Sequence, residues 1–118
     1  MMEIEENKHT TQDGNTVIVL KPKERLDITT SWQFRMRLQE CFSQHSCHLV
    51  VNLDRVIFID STGLTSLVAG MRDAQKAKGS FRICNLHPEI KLVTMMDTGL
   101  KNCETEEEAL KILLKLYS

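Results

Sequence analysis

The most informative segment of this chain is Asn52-Leu53-Asp54-Arg55-Val56-Ile57-Phe58-Ile59-Asp60-Ser61-Thr62-Gly63-Leu64. The run Val56–Ile59 is apolar and predicts a short strand. After it, apolar residues recur at helical spacing, so a helix is predicted to follow at once. Between the two lie Asp60, Ser61 and Thr62, which are residue types that cap helix starts. The stretch therefore predicts a strand, a polar turn and a helix in direct succession.

Strands are predicted on the N-terminal side of this unit. Residues 16–20 form a β-branched run that indicates a strand. Residues 2–9 are a weaker strand candidate, and Asp13-Gly14 between the two runs favours a hairpin. Residues 48–53 have a continuous apolar centre, typical of a strand buried on both faces.

Two helices are predicted around these strands. The first begins near Thr30, because Thr30 and Gln33 form a capping-box pattern and apolar residues follow at helical spacing. The second is the helix after Ser61, whose apolar face extends to Ala74, with Gly79 as its C-terminal stop.

The remaining chain predicts one more strand and two more helices. Residues 81–86 alternate between apolar and other residues, as in a strand. A third helix is predicted over residues 88–99, with proline first and glycine at the end. Thr105 and Glu108 form a second capping box, and Glu106-Glu107-Glu108 fits the acidic first turn of a fourth helix.

Strands that alternate with helices favour crossover connections and a largely parallel sheet, to which the opening hairpin adds an antiparallel strand. We therefore predict an α/β fold with a mixed β-sheet and about four helices packed mainly on one face. The length of 118 residues favours a single domain over residues 1–118.

Composition excludes several functional classes. The net charge is −1 and no basic stripe is present, so nucleic-acid binding is not expected. No apolar run approaches the ~18 residues that a membrane span needs. The acidic N-terminus lacks the apolar region of a secretory signal, so a cytoplasmic location is expected.

A metal site is not expected, although Cys41, His45, Cys47 and His48 lie close together in the sequence. Cys41 and His45 are one helical turn apart, while Cys47 and His48 are adjacent and point apart in a strand. Four ligands in this arrangement do not easily make the tetrahedron that zinc prefers. We expect the cysteines to remain reduced in the cytosol and predict no cofactor.

The start of the second helix is the candidate site. Backbone amides in the first turn of a helix lack partners within the helix, and we expect those around Gly63 to Thr65 to be able to hold an anion. Ser61 places a hydroxyl beside them, at the end of a strand, where α/β folds usually place their sites. Asp60 either caps the helix or orients this hydroxyl, and both interpretations stay open.

The sequence resembles the STAS-domain anti-sigma factor antagonists. The resemblance lies in Leu53 followed by Ile59-Asp60-Ser61-Thr62-Gly63-Leu64, in Leu26-Asp27 followed by Thr30, and in residues 88–100. It covers the chain from about residue 16 onward, and implies that Ser61, the first hydroxyl after the aspartate, is the phosphoacceptor.

The resemblance also implies partners. The unphosphorylated module would bind an anti-sigma factor that is also a serine kinase. Phosphorylation of Ser61 would end this association, and a metal-dependent serine phosphatase would restore it. The chain would then be a substrate rather than an enzyme, and a monomer or weak dimer is expected.

Further residues are assigned to this site. Asp60, Thr62, Leu26 and Asp27 would support the turn or contact the partner, and Gly63 would let a partner backbone approach closely. Trp32 lies off the apolar stripe of its helix: it either packs on a neighbouring loop or, if exposed, is an interface anchor.

Two features depart from the family pattern. Glu24 stands where the family commonly has glycine, and residues 88–99 form a slightly longer segment than expected. Either departure would alter the choice of partner without touching Ser61.

Other classes fit less well. A receiver domain with Asp54 as phosphoacceptor would need a pair of acidic residues at the end of the first strand. Residues 9–12 occupy that place and include no acidic pair. Asp97-Thr98-Gly99 resembles an aspartic protease motif, but it lies at the end of a predicted helix and not in a β framework, which argues against a protease. A serine hydrolase would need Gly-x-Ser-x-Gly around its serine, but Ile59 occupies the first glycine position. A STAS scaffold domain of another signalling or transport complex, without phosphorylation, remains the alternative.

Overall fold

The computed structural model describes residues 2–11, 14–43, 47–90 and 99–117. After an initial run of three strands, α-helices are separated by pairs of strands. Their bounds are β1 (Ile4–Thr10), β2 (Thr16–Pro22), β3 (Glu24–Leu26), α1 (Ser31–Ser43), β4 (Cys47–Asn52), β5 (Val56–Ile59), α2 (Ser61–Lys76), β6 (Ser80–Cys84), β7 (Lys101–Cys103) and α3 (Glu106–Tyr117).

The central sheet has five strands in the order β1-β2-β4-β6-β7. β1 pairs antiparallel with β2, and the pairs β2–β4, β4–β6 and β6–β7 are all parallel. The predicted hairpin, the mixed sheet and the α/β fold class are thereby confirmed. Every residue of β4 is buried, as its apolar run indicates, because helices cover this strand from both sides.

The two faces of the sheet carry different helices. α1 and α2 pack on one face, where Phe34, Leu38 and Leu67 join the larger apolar core. α3 packs on the opposite face, where Ala109 and Leu113 contact a smaller core. Two of these three helices share a face, in agreement with the prediction that the helices lie mainly on one side. The C-terminal helix, α3, lies on the opposite face of the sheet.

α3 begins where it was predicted. The Glu108 N–H donates to the Thr105 hydroxyl at 3.1 Å, so the second capping box has its N-cap bond. The acidic first turn is also confirmed. The Glu106 carboxylate accepts a hydrogen bond from Asn52 Nδ2 at 2.9 Å and lies 3.5 Å from Lys21 Nζ, which fixes α3 to the central strands.

The predicted capping box of α1 is wrong. The Thr30 hydroxyl donates to the Arg25 carbonyl at 2.8 Å and accepts from the Asp27 N–H at 3.1 Å. Gln33 Oε1 accepts from the Met2 N–H instead of reaching back to Thr30. Tertiary contacts with the preceding turn and with the N-terminus take both side chains.

The ends of the other helices follow the sequence. α2 stops at a left-handed Lys78, and the Gly79 N–H donates back to the Ala74 carbonyl at 2.9 Å. A Cβ on Gly79 would lie 2.0 Å from the Cys47 carbonyl oxygen, so only glycine fits here. Residues 88–90 are helical as predicted, and the rest of the predicted third helix lies outside the described residues up to Gly99.

Sequence patterns did not predict β3, which pairs in parallel with β5 to form a separate two-stranded sheet. Its register shifts between Glu24 and Arg25, and Glu24 adopts a left-handed φ of 72°. The Glu24 N–H donates to the Arg55 carbonyl at 2.9 Å and holds this conformation. Glu24 thus retains the backbone conformation that glycine adopts most easily.

Glu24→Gly is therefore expected to stabilise the protein. A left-handed non-glycine residue costs roughly 1–2 kcal/mol, and the extra unfolded-state freedom of glycine offsets roughly 0.5–1 kcal/mol of this. Urea denaturation is expected to show a gain of about 0.5–1 kcal/mol in the free energy of unfolding. Glu24→Ala is the matched control, since it removes the same side chain and keeps the backbone cost. Equal stability of the two variants would contradict this account.

Candidate functional site

Asp60 is the N-cap of α2 and joins it to the segment after β3. Its backbone is extended (φ −99°, ψ −175°), and its Oδ1 accepts a hydrogen bond from the Gly63 N–H at 2.9 Å. Its Oδ2 accepts from the Ile28 N–H at 3.1 Å. Of the three polar residues at the turn, Asp60 is therefore the cap, and its two carboxylate oxygens hold two separate backbone segments.

Ser61 is the first residue of α2 and is exposed. Its carbonyl oxygen accepts the Thr65 hydroxyl at 2.8 Å. Within the described ranges its own hydroxyl has no hydrogen-bond partner, so it points to solvent with no intramolecular bond to break. The Asp60 carboxylate accepts hydrogen bonds from backbone amides and not from the Ser61 hydroxyl. The structure therefore favours Asp60 as the cap of α2 over Asp60 as the group that orients the hydroxyl.

The free amides of this turn differ from the predicted ones. The Gly63 N–H is taken by the Asp60 carboxylate, and the Leu64 N–H donates to the Asp60 carbonyl at 2.9 Å. The expectation that Gly63 to Thr65 offer free amides is therefore wrong, because the N-cap and the first helical bond use them. Among the described residues, the N–H groups of Ser61 and Thr62 are the ones left without a partner in this turn.

Gly63 is buried beneath the end of β3. A Cβ at this position would lie 2.0 Å from the carbonyl oxygen of Leu26 and 2.9 Å from the Leu26 Cβ. The structure thus shows a close approach of Gly63 to this chain's own backbone. The close approach of a partner backbone to Gly63 stays a prediction. Leu26 is itself fully buried, so it positions the turn from inside.

Asp27 is a buried carboxylate next to the same turn. The Thr29 hydroxyl and N–H donate to its Oδ1 at 2.6 and 2.9 Å, and Arg25 Nε donates to its Oδ2 at 2.9 Å. The hydrogen bond from the Thr29 hydroxyl is the largest cause that lowers the pKa of Asp27 below its usual 3.8, against an opposing effect of burial. Asp27 thereby fixes the loop that Asp60 holds from the other side.

Exposed apolar side chains surround the turn. Trp32 is 59% exposed on α1, where Met36 is also exposed, and Ile28 lies exposed beside the Asp60 carboxylate. Thr62 and Trp32 line the same groove between α1 and α2. The open question about Trp32 is thus answered: its side chain is largely in solvent, close to the start of α2.

On the strand side, Ile57 and Phe58 are exposed on β5, and the Arg25 guanidinium lies 4.9 Å from the centre of the Phe58 ring. Sequence reasoning missed Arg25, Ile28, Ile57 and Phe58. The apolar run of β5 predicted a short strand but not which of its side chains are exposed: β5 pairs with β3 outside the main sheet, and two of its four side chains face solvent. The isolated Ile28 between polar neighbours was the sequence signal available.

The cysteines lie away from this turn. Cys41, Cys47, Cys84 and Cys103 are free thiols and are buried. Burial raises the pKa of Cys47 and Cys84 to about 12, so both are protonated at neutral pH. Across the described ranges, which omit His45, no group of three or more potential ligands is placed to hold a metal ion.

The sheet order, with helices on both faces and a capped polar turn between β5 and α2, defines a small α/β module of the STAS type. The STAS domain family model matches residues 7–110, and the chain belongs to this family. Of the helices in the described part of the chain, none has the length and hydropathy needed to cross a bilayer.

Relatives with known names share this fold. The anti-sigma F factor antagonist of Paenibacillus polymyxa is 27% identical over 75 residues, which are 63% of this chain and 64% of that protein. The match thus spans less than two thirds of the relative. The solved structure of the anti-sigma factor antagonist SpoIIAA in its unphosphorylated form superposes with a TM-score of 0.73 at 22% identity, covering 94% of this chain and 97% of that one.

SpoIIAA, described as a Bacillus cell fate determinant, is also solved in its phosphorylated form. That structure matches with a TM-score of 0.64 at 19% identity, over 92% of this chain and 99% of that one. At these identities the solved structures establish the fold, which confirms the resemblance inferred from the motif between Leu53 and Leu64.

Gly63→Ala is expected to destabilise the protein. Its Cβ would overlap the Leu26 carbonyl, and that oxygen belongs to a backbone held by Asp60, so the clash is relieved only by moving α2 away from β3. Overpacking of this kind costs about 1–3 kcal/mol, measured as a loss in the free energy of unfolding by urea. An unchanged Gly63→Ala protein would show that the contact is not tight.

Asp27 is expected to make stability depend on pH. Because folding lowers its pKa, its contribution is complete above the unfolded-state value near 3.8 and is lost as the pH falls through the lower folded-state value. Asp27→Asn is therefore expected to be clearly less stable than wild type at neutral pH, with a difference that shrinks in acid. Urea denaturation across this pH range measures the difference. Asp54→Asn, in the exposed turn after β4, serves as the control. A difference that stayed constant with pH would contradict the hydrogen-bonded carboxylate.

Proposed function

We propose that this chain is an anti-sigma factor antagonist whose binding is controlled by phosphorylation of Ser61. The observation that carries the proposal is the Ser61 hydroxyl itself: it is exposed at the first residue of α2 and is flanked by exposed apolar side chains. The name of the Paenibacillus polymyxa relative supports the assignment, as does the SpoIIAA fold with its phosphorylated and unphosphorylated forms.

The fold tolerates a phosphate at this position. A phosphoserine carries about −1.5 to −2 charges, and the helix dipole together with the unpartnered N–H groups of Ser61 and Thr62 favours an anion at the start of α2. The neighbouring Asp60 carboxylate repels the phosphate, but both of its oxygens already accept backbone hydrogen bonds and stay in place. These opposing effects leave a small net cost to folding.

The same phosphate would prevent a partner from docking. Exposed apolar residues on both sides of Ser61, such as Trp32 and Ile57, are the surface that a partner would cover. A partner covering them would strip water from the phosphate, and a buried charge without a counter-charge costs about 3 kcal/mol or more. This corresponds to roughly a hundredfold weaker binding.

The proposed partners follow from this switch. The unphosphorylated chain binds an anti-sigma factor that is also a serine kinase, and this kinase transfers the γ-phosphate of ATP to the Ser61 hydroxyl. A metal-dependent serine phosphatase removes the phosphate as inorganic phosphate. The chain acts in the cytoplasm as a single-domain binding module without a cofactor, and it is the substrate of the kinase. It is a monomer or weak dimer. Ser61 is its phosphoacceptor, and Asp60, Asp27 and Thr62 support the turn in which Ser61 lies.

The test uses each anti-sigma factor encoded in the genome that encodes this chain, purified and incubated with the chain, Mg²⁺ and ATP. Tandem mass spectrometry is expected to find one phosphate, on Ser61. Ser61→Ala is expected to stay unmodified and to remain bound to the kinase, while Thr62→Ala, the matched neighbouring hydroxyl, is expected to be modified on Ser61.

Ser61→Asp separates binding from folding. Its melting temperature is expected to match that of wild type, while its affinity falls, by less than the roughly hundredfold of phosphate because a carboxylate carries less charge. Phosphate found on Thr62 or elsewhere, with Ser61 untouched, would refute the assignment. Binding without any phosphorylation would favour a STAS scaffold domain instead.

A further inference from the structure

A groove between α1 and α2 opens next to the Ser61 turn. Its volume is about 170 Å³, which is room for a side chain. Side chains from the first two turns of each helix line it: Ser31, Trp32, Arg35, Thr62, Thr65 and Ser66. The groove begins one residue beyond Ser61, so a molecule docked on the turn would extend into it.

Trp32 supplies an apolar wall to this groove. Five of the six large apolar side chains that are well exposed in the described ranges belong to α1, to the loop before it, or to β5. The sixth, Ile112, lies on α3 at the opposite face of the sheet. The exposed apolar surface is thus concentrated around the start of α2, and tryptophan is the residue type that most often anchors an interface.

Arg35 supplies a cation whose hydrogen bonds are incomplete. Its Nη2 forms an ion pair with Asp73 Oδ2 at 3.9 Å, a distance too long for a hydrogen bond. In the described part of the chain, the buried Arg35 Nε and the buried Asp73 Oδ2 both lack a hydrogen-bond partner. A guanidinium favours paired hydrogen bonds to a carboxylate. The hydroxyls of Thr65 and Ser66 already donate to the Ser61 and Gly63 carbonyls, so Arg35 is the charged group that this groove offers.

We propose that this groove receives a segment of the anti-sigma factor in which an acidic side chain lies next to an apolar one. The carboxylate pairs with Arg35, and the apolar side chain packs on Trp32. Charge complementarity selects this occupant, because the unsatisfied guanidinium gains the hydrogen bonds that Asp73 does not supply. The inference rests on the proposed function, and it makes Trp32 and Arg35 determinants of partner choice beside the Ser61 switch.

The experiment measures binding of the anti-sigma factor that passes the phosphorylation test, by calorimetry without ATP. Trp32→Ala is expected to weaken binding about thirtyfold, the loss typical of an anchor residue. Arg35→Ala is expected to weaken it about tenfold and to reduce its salt dependence. Arg35→Glu is expected to abolish binding, and Arg35→Lys to retain part of it, since lysine keeps the charge without the paired geometry.

Ile112→Ala and Lys111→Glu are the matched controls, because they make the same kinds of change on exposed residues of α3, on the opposite face. Both are expected to bind like wild type. Arg35→Ala and Arg35→Glu remove the cation beside the Asp73 carboxylate and are expected to lower the melting temperature, so binding is compared at a temperature at which every variant is folded. If wild type binds and the groove variants bind equally well, the inference is overturned while the proposed function stands.

Three further outcomes would also overturn it. If Trp32→Ala weakens binding but Arg35→Glu does not, the acidic segment is wrong. If sedimentation shows that the groove variants change only self-association, the occupant is a second copy of this chain. If no anti-sigma factor binds wild type, the proposed function itself fails, and the inference fails with it.

Discussion

The Asp60 carboxylate holds the start of α2 against the loop that follows β3. One oxygen accepts the Gly63 N–H and the other accepts the Ile28 N–H, 32 residues away in the chain. The bond to Ile28 requires α2 to lie close to β3, and this is possible because Gly63 has no Cβ to meet the Leu26 carbonyl. The position of Ser61 at the surface, and of the apolar side chains around it, depends on this contact.

The two-stranded β3–β5 sheet has a structural and a functional consequence. It lies outside the main sheet, so the parallel pairing that buries Val56 and Ile59 leaves Ile57 and Phe58 in solvent. The left-handed Glu24 starts this pairing, and Arg25 then reaches both the Asp27 carboxylate and the Phe58 ring. The backbone irregularity at residue 24 thus helps to shape the surface beside Ser61, although it lies far from Ser61 in the sequence.

The proposed binding surface and the apolar cores are separated in space within this molecule. The larger apolar core lies under α1 and α2, and the smaller one lies under α3. Ser61 belongs to neither core, and a charge added to it meets solvent and backbone amides rather than packed side chains. A modification of this kind changes what the surface can bind while leaving the apolar contacts that maintain the fold unchanged.

Local sequence patterns determined much of the fold, because each depends on neighbouring residues. The apolar run of β4 predicted a strand buried on both faces, and Thr105 with Glu108 predicted the start of α3. The Asp60-Ser61-Thr62-Gly63 turn was placed correctly between β5 and α2. Each of these predictions needs only side-chain periodicity or the hydrogen-bonding needs of a helix end, which the sequence carries by itself.

Tertiary structure decided which of several local options each residue took. Thr30 and Gln33 fit a capping box, but contacts with Arg25 and Met2 took their side chains. The predicted free amides at Gly63 became bonded because Asp60, and not Ser61, is the cap. Packing between separate elements decides that Trp32 and Phe58 are exposed. It also decides that Arg35 Nε lacks a hydrogen-bond partner in the described residues. Local sequence determined where most of the helices and strands begin, although not β3. The packing of distant segments decided which side chains face solvent, because burial depends on neighbours that the chain brings together only when it folds.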